Sequence, residues 1–103
     1  MGVPIRVVDG RNVILITGVV KKVNDRLVIV TRDERSIMAA ASAYPHEEGY
    51  DIRRGFKLVV YDPTSHVGYY AWAYKTRRGW FILVPDRYIP KTEGSIVHLH
   101  VMV

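Results

Sequence analysis

Two turn dipeptides bracket a long β-branched run, and this constrains the fold more than any other feature of the chain. Asp9-Gly10 and Asn24-Asp25 flank the segment RNVILITGVVKKV, Arg11 to Val23. Asp-Gly between apolar runs marks a two-residue hairpin, because both central positions of that turn need positive φ. Asn-Asp meets the same need less strongly. The first third of the chain therefore reads as a three-stranded meander: Val3 to Val8, Arg11 to Val23, and Arg26 to Thr31. Gly18 falls halfway along the middle strand, where glycine often marks a bulge or sharp bend. Long bent strands are what a small closed barrel needs.

The segment TRDERSIMAAASAYP is the one good helix candidate, near residues 32–44. Thr31 and Glu34 have capping-box spacing. Ile37, Ala40, Ala41 and Tyr44 fall on one helical face, and Pro45 ends it. An extended reading, with Ile37, Ala39, Ala41 and Ala43 alternating, competes. HEEGYDIRRG then reads as a loop, Phe56 to Tyr61 as a strand, and Asp62-Pro63-Thr64-Ser65 as a turn. Val67 to Lys75 and Trp80 to Val84 form a hairpin around Arg77-Arg78-Gly79. Ser95 to Met102 is a last strand.

The expected fold is mainly β, with α+β as the variant. It is a single domain over residues 1–103, a barrel or sandwich of about six to seven antiparallel strands with one short helix. The order of meander, helix and further strands resembles that of an OB-type barrel, in element order alone.

Both faces of two hairpins are apolar. With Lys75 opposite Trp80, one face carries Tyr70, Trp72, Tyr74, Phe81 and Leu83. The other carries Tyr69, Ala71, Ala73, Lys75, Trp80, Ile82 and Val84. The Asn24-Asp25 hairpin likewise puts Val19, Val28 and Val30 on one face, and Ile16, Val20, Leu27 and Ile29 on the other. A single-layer meander usually has one polar face. Something must cover the second one: the helix, a ligand or a partner subunit. A homo-oligomer, most simply a twofold dimer, is therefore expected.

Composition narrows the partner class. The net charge is +5 and hydrophobic residues make up 49%, so the chain folds and its surface attracts polyanions. No apolar run approaches a membrane span, and the start has no secretory pattern, which suggests a cytoplasmic protein. Met1-Gly2 would suit myristoylation, but Arg6 stands where that motif wants Ser or Thr. There is no cysteine, which removes disulfides, thiolate zinc sites and cysteine nucleophiles. Few amide side chains and many arginines fit a thermophile's protein.

Nucleic acid, single-stranded DNA or RNA, is the partner these features suggest. Tyr70, Trp72 and Tyr74 can form a stacking platform, each stacked base contributing about 1–3 kcal/mol with little sequence preference. Lys75, Arg77 and Arg78 at the hairpin tip would meet phosphates, with Lys21, Lys22, Arg53 and Arg54 as secondary contacts. The competing reading makes the three aromatics core, since large rings dominate small cores. Lys75 opposite Trp80 can equally be a cross-strand cation–π pair.

Two constellations carry a different chemistry. His98 and His100 share one face of VHLHV and could share a metal, with a third ligand from His46, Glu47, Glu48 or His66. The simpler reading is the polar face of an amphipathic edge strand. His46, Glu47, Glu48 and Asp51 in HEEGYD form the second, a hydrolytic cluster or a solvated loop. No phosphate-cradling, dinucleotide, HExxH or calcium-loop motif is present. The expectation is a non-enzyme with no cofactor. A non-catalytic assembly protein, or a hydrolase or metalloprotein built on His98/His100 or the Glu47–Asp51 loop, stands as the alternative.

Overall fold

The computed structural model describes residues 2–103; Met1 and its modification reading lie outside the described residues. Seven strands and one α-helix follow in the order β1 (Arg6–Val8), β2 (Arg11–Val23), β3 (Arg26–Thr31), α1 (Glu34–Ser42), β4 (Phe56–Asp62), β5 (Val67–Thr76), β6 (Gly79–Leu83) and β7 (Ile96–Met102). This is the element order that the sequence suggested. Two single-turn 3-10 segments, Ile52–Arg54 and Asp86–Tyr88, punctuate the loops.

Both early hairpins form through the predicted turns. Asp9 and Gly10 take φ of 49° and 77°, and Asn24 and Asp25 take 50° and 62°. The hydrogen-bonded order is β2-β3-β6-β5-β4-β7, and β7 returns to pair with β2. Every pairing is antiparallel, so six strands close into a barrel, with β1 as a short addition on β2. Of the expected Val3 to Val8 only Arg6–Val8 is strand. Gly18 lies where β2 draws close to β3: a Cβ there would stand 2.5 Å from Ile29 Cγ2 and 3.0 Å from the Val30 carbonyl oxygen. Glycine permits that approach.

The interior is filled from every barrel strand. Ile14, Ile16 and Val20 meet Ile29, Phe56, Leu58, Ala73, Trp80, Ile82 and Leu99. Ile37, Ala40 and Ala41 join the same cluster from α1, as the helical face predicted. The cap differs from expectation. Asp33, not Thr31, accepts the Ser36 N–H at 3.1 Å. Thr31 Oγ1 instead donates to the Thr17 carbonyl and accepts from Asp33 N–H, tying β3 to β2 below the helix. Glu34 reaches away from the cap, toward β5 and β6.

The hairpin faces are now assigned. Ala71, Ala73, Trp80 and Ile82 point inward, and Tyr70, Trp72 and Tyr74 point outward. The core reading is overturned for Tyr70 and Trp72, which are 65% and 41% exposed, while Tyr74 is half-buried outside the core and Trp80 is 1% exposed. The small alanines on β5 explain the choice, since they leave room for Trp80 inside a narrow barrel.

Candidate nucleic-acid interface

Closure of the barrel joins two outer faces that are separate in the sequence. Tyr74 of β5 stands opposite Phe81 of β6, Phe81 opposite Val30 of β3, Val30 opposite Val19 of β2, and Val19 opposite Ile96 of β7. One apolar row thus crosses five strands on the outside. Tyr74 and Phe81 meet edge to face, 5.7 Å between ring centres. Phe81 is 5% exposed although it points outward.

A groove of about 580 Å³ runs over this row, with Val19, Val30, Phe81 and Ile96 on its floor. Its rim is cationic: Lys21, Lys22, Arg32 and Arg78. None of the four has a carboxylate within ion-pairing distance among the described residues. Glu93 is the one carboxylate at the groove, and it accepts the backbone N–H of Lys22 at 3.0 Å. Two basic clusters far apart in sequence, Lys21-Lys22 and Arg77-Arg78, therefore serve neighbouring surface, with Arg32 beside Arg77 and Arg78 in the shallow hollow at the hairpin tip.

The other predicted cations are placed differently. Lys75 shares the inner register with Ala73 and Trp80 and stands at the barrel rim. Its ammonium pairs with Glu34 and lies 5.9 Å from the Trp80 ring centre. Glu34 also accepts from Trp80 Nε1 at 2.9 Å. The bonds from Lys75 and Trp80 hold the Glu34 carboxyl below its usual range. Arg53 is bound to Asp51 at 2.9 Å, and Asp51 also accepts the Arg53 backbone N–H. Hydrogen bonding by Arg53 lowers Asp51 and raises Arg53. The charges of Lys75 and Arg53 are thus locally compensated, whereas Arg54 makes no salt bridge among the described residues.

Along β5, alternate side chains stand about 7 Å apart. Trp72 lies over Gly55 and faces Lys57 and Leu83 in register. The Lys57 ammonium sits 4.6 Å from the Tyr70 ring centre and covers one face of it. On the inner register Tyr69 stacks on Tyr88 at 4.1 Å, and burial pushes its phenol up to about 12.

The histidine constellations do not assemble. Among the described residues no three His, Asp or Glu side chains converge as metal ligands. His98 Nδ1 is 3.0 Å from Thr17 Oγ1. β7 has a strand on each side, so His98 and His100 lie on the outer wall of a closed barrel and not on an edge strand. In HEEGYD, His46 Nε2 bonds the Ala41 carbonyl and Asp51 caps the Ile52–Arg54 turn. A cluster with no sequence signal does form elsewhere. Tyr61 donates to Asp9 Oδ2 at 2.5 Å, His66 Nδ1 lies 3.2 Å from the same oxygen, and Arg11 stacks on Tyr61. The Tyr61 bond lowers Asp9, and it raises Tyr61. It pins the β1–β2 turn to the β4–β5 turn.

No family model, curated protein or solved structure matches the chain. No helix among the described residues is long and apolar enough to cross a membrane.

Proposed function

We propose that this protein binds single-stranded nucleic acid on the outer wall of its barrel, with weak sequence preference. Tyr70, Trp72 and Tyr74 stack bases, and Lys21, Lys22, Arg32, Arg77 and Arg78 neutralise phosphates. The observation that carries the reading is the apolar row from Tyr74 to Ile96 beneath a rim of uncompensated cations. Spacing favours an extended strand. Bases in a duplex stack about 3.4 Å apart. Rings about 7 Å apart on one strand are out of step with that stack but can each receive one base of an extended chain. Readout of adenine edges relies on the amide fork of Asn or Gln. The chain has no glutamine, and Asn12 and Asn24 lie outside the groove.

A tryptophan-fluorescence titration with short single- and double-stranded DNA and RNA tests this. Quenching by single strands that survives moderate salt is expected. Binding that vanishes with salt and leaves the emission unchanged reduces the site to a basic surface. No binding at low salt removes the reading.

A second reading, a homo-oligomeric assembly protein, is favoured by β1. It is the one strand without a partner on its second edge among the described residues, and Val7 within it and Ile5 just before it are exposed. A mass independent of concentration in sedimentation, equal to one chain, removes that reading.

A further inference from the structure

A second pocket, about 560 Å³, has Trp72 in its wall and is within the size range of small-ligand sites. Tyr44, His46, Tyr50, Phe56, Trp72 and Lys57 line it. The hydroxyls of Tyr44 and Tyr50 and the Nε2 of His46 are already engaged. Tyr44 donates its hydroxyl proton to the Met102 carbonyl and accepts from Val59 N–H. The Tyr50 hydroxyl donates to the Gly55 carbonyl. His46 Nε2 bonds the Ala41 carbonyl at 3.0 Å. His46 lies nearly parallel to Tyr50 and edge-on to Phe56. What these fixed residues offer a guest is ring surface.

We propose that this pocket takes a single nucleobase, with the attached phosphate on Lys57. That the base belongs to a bound strand rests on the reading above. Trp72 and Lys57 border both this pocket and the shallow hollow beside Tyr70, so a base here is continuous with the stacking row. An aromatic pocket could instead hold a quaternary ammonium. The one carboxylate of the lining, Glu47, is offset by Lys57, and the chain carries a net charge of +5, which selects a guest bearing phosphate.

The test titrates the full chain with AMP, UMP, ribose 5-phosphate and tetramethylammonium, read by tryptophan fluorescence. Saturation-transfer NMR on the unmodified protein gives a readout that needs no variant. Expected are saturable quenching by the nucleotides and none by ribose 5-phosphate. Base protons should receive more transfer than ribose protons, and Tyr50→Leu should weaken the nucleotides at least fivefold. Equal binding of ribose 5-phosphate, or saturation by tetramethylammonium in place of nucleotides, overturns the proposal. Strands that bind while nucleotides do not saturate overturn the pocket and leave the strand reading standing. Nucleotides that saturate while strands fail to bind uphold the pocket for free nucleotides and remove the strand.

Discussion

Gly55 lies directly beneath the indole of Trp72. A Cβ at Gly55 would come within 2.4 Å of Cζ2 and Nε1 of that ring, and the glycine holds φ at 128°. Backbone and side chain are thus fitted to each other: the absent Cβ lets the indole lie against the turn that leads into β4. Gly55→Ala is expected to displace Trp72 and weaken single-strand binding. Strain at this φ should also lower stability by about 1–3 kcal/mol. Parallel chemical-melt and binding measurements check both effects. Unchanged binding would mean that the position of the indole is irrelevant to the ligand.

The two tryptophans should separate function from folding. Trp72 is half-exposed on the outer wall and Trp80 is enclosed. Trp72→Ala should cost about 1–3 kcal/mol of binding, with the fold retained. Trp80→Ala should cost about 3–5 kcal/mol of stability. Denaturation curves for both variants, beside strand titrations of the first, decide this. A collapse of the fold in Trp72→Ala would mark it as structural.

Lys22 and Arg78 border one groove from different hairpins. If both meet phosphate, replacing the pair by alanine should flatten the dependence of log K on log salt by about 1.4 for single strands. An unchanged slope would place the phosphates elsewhere.

Glu34 holds Lys75 and the Trp80 indole at once. Glu34→Gln removes a negative charge that offsets Lys75 and acts on Arg53, so low-salt affinity for polyanions should rise. The wild-type pair also adds an acid limit. Because the folded carboxyl sits below its free value of 4.5, its stabilisation is complete above that pH and is lost as pH falls through the lower folded value. Melting the variant and the wild type from pH 6 downward should show a smaller loss in the variant.

Tyr69 sets an alkaline limit. Burial favours its neutral phenol, raising the folded value to about 12 from 10. A raised value gives stabilisation that is complete below 10 and lost as pH rises through about 12. Tyr69→Phe should reduce the fall in melting temperature across that window. An identical fall in both proteins would show that Tyr69 does not control it.

Local chemistry made much of this protein legible. Asp9-Gly10 and Asn24-Asp25 dictated their hairpins because few residue pairs accept positive φ twice in succession. Alternation sorted Tyr70, Trp72 and Tyr74 onto one face and Ala71, Ala73 and Trp80 onto the other, since strand side chains alternate strictly. The helix face was readable from its period, but its cap was not: Thr31 has the right spacing, and only the contact with Thr17 on β2 takes it away from the helix. Arg32 had no local signal; it matters because β3 and β6 lie side by side.

The sequence by itself determined the strands, the turns and the composition of each face. Which face is inside was decided only by the tertiary structure, because both faces are apolar and alternation carries no sign. The same holds for the row from Tyr74 to Ile96. It exists because β3 pairs with β6 and β2 with β7, contacts between residues far apart in the chain that form when the barrel closes.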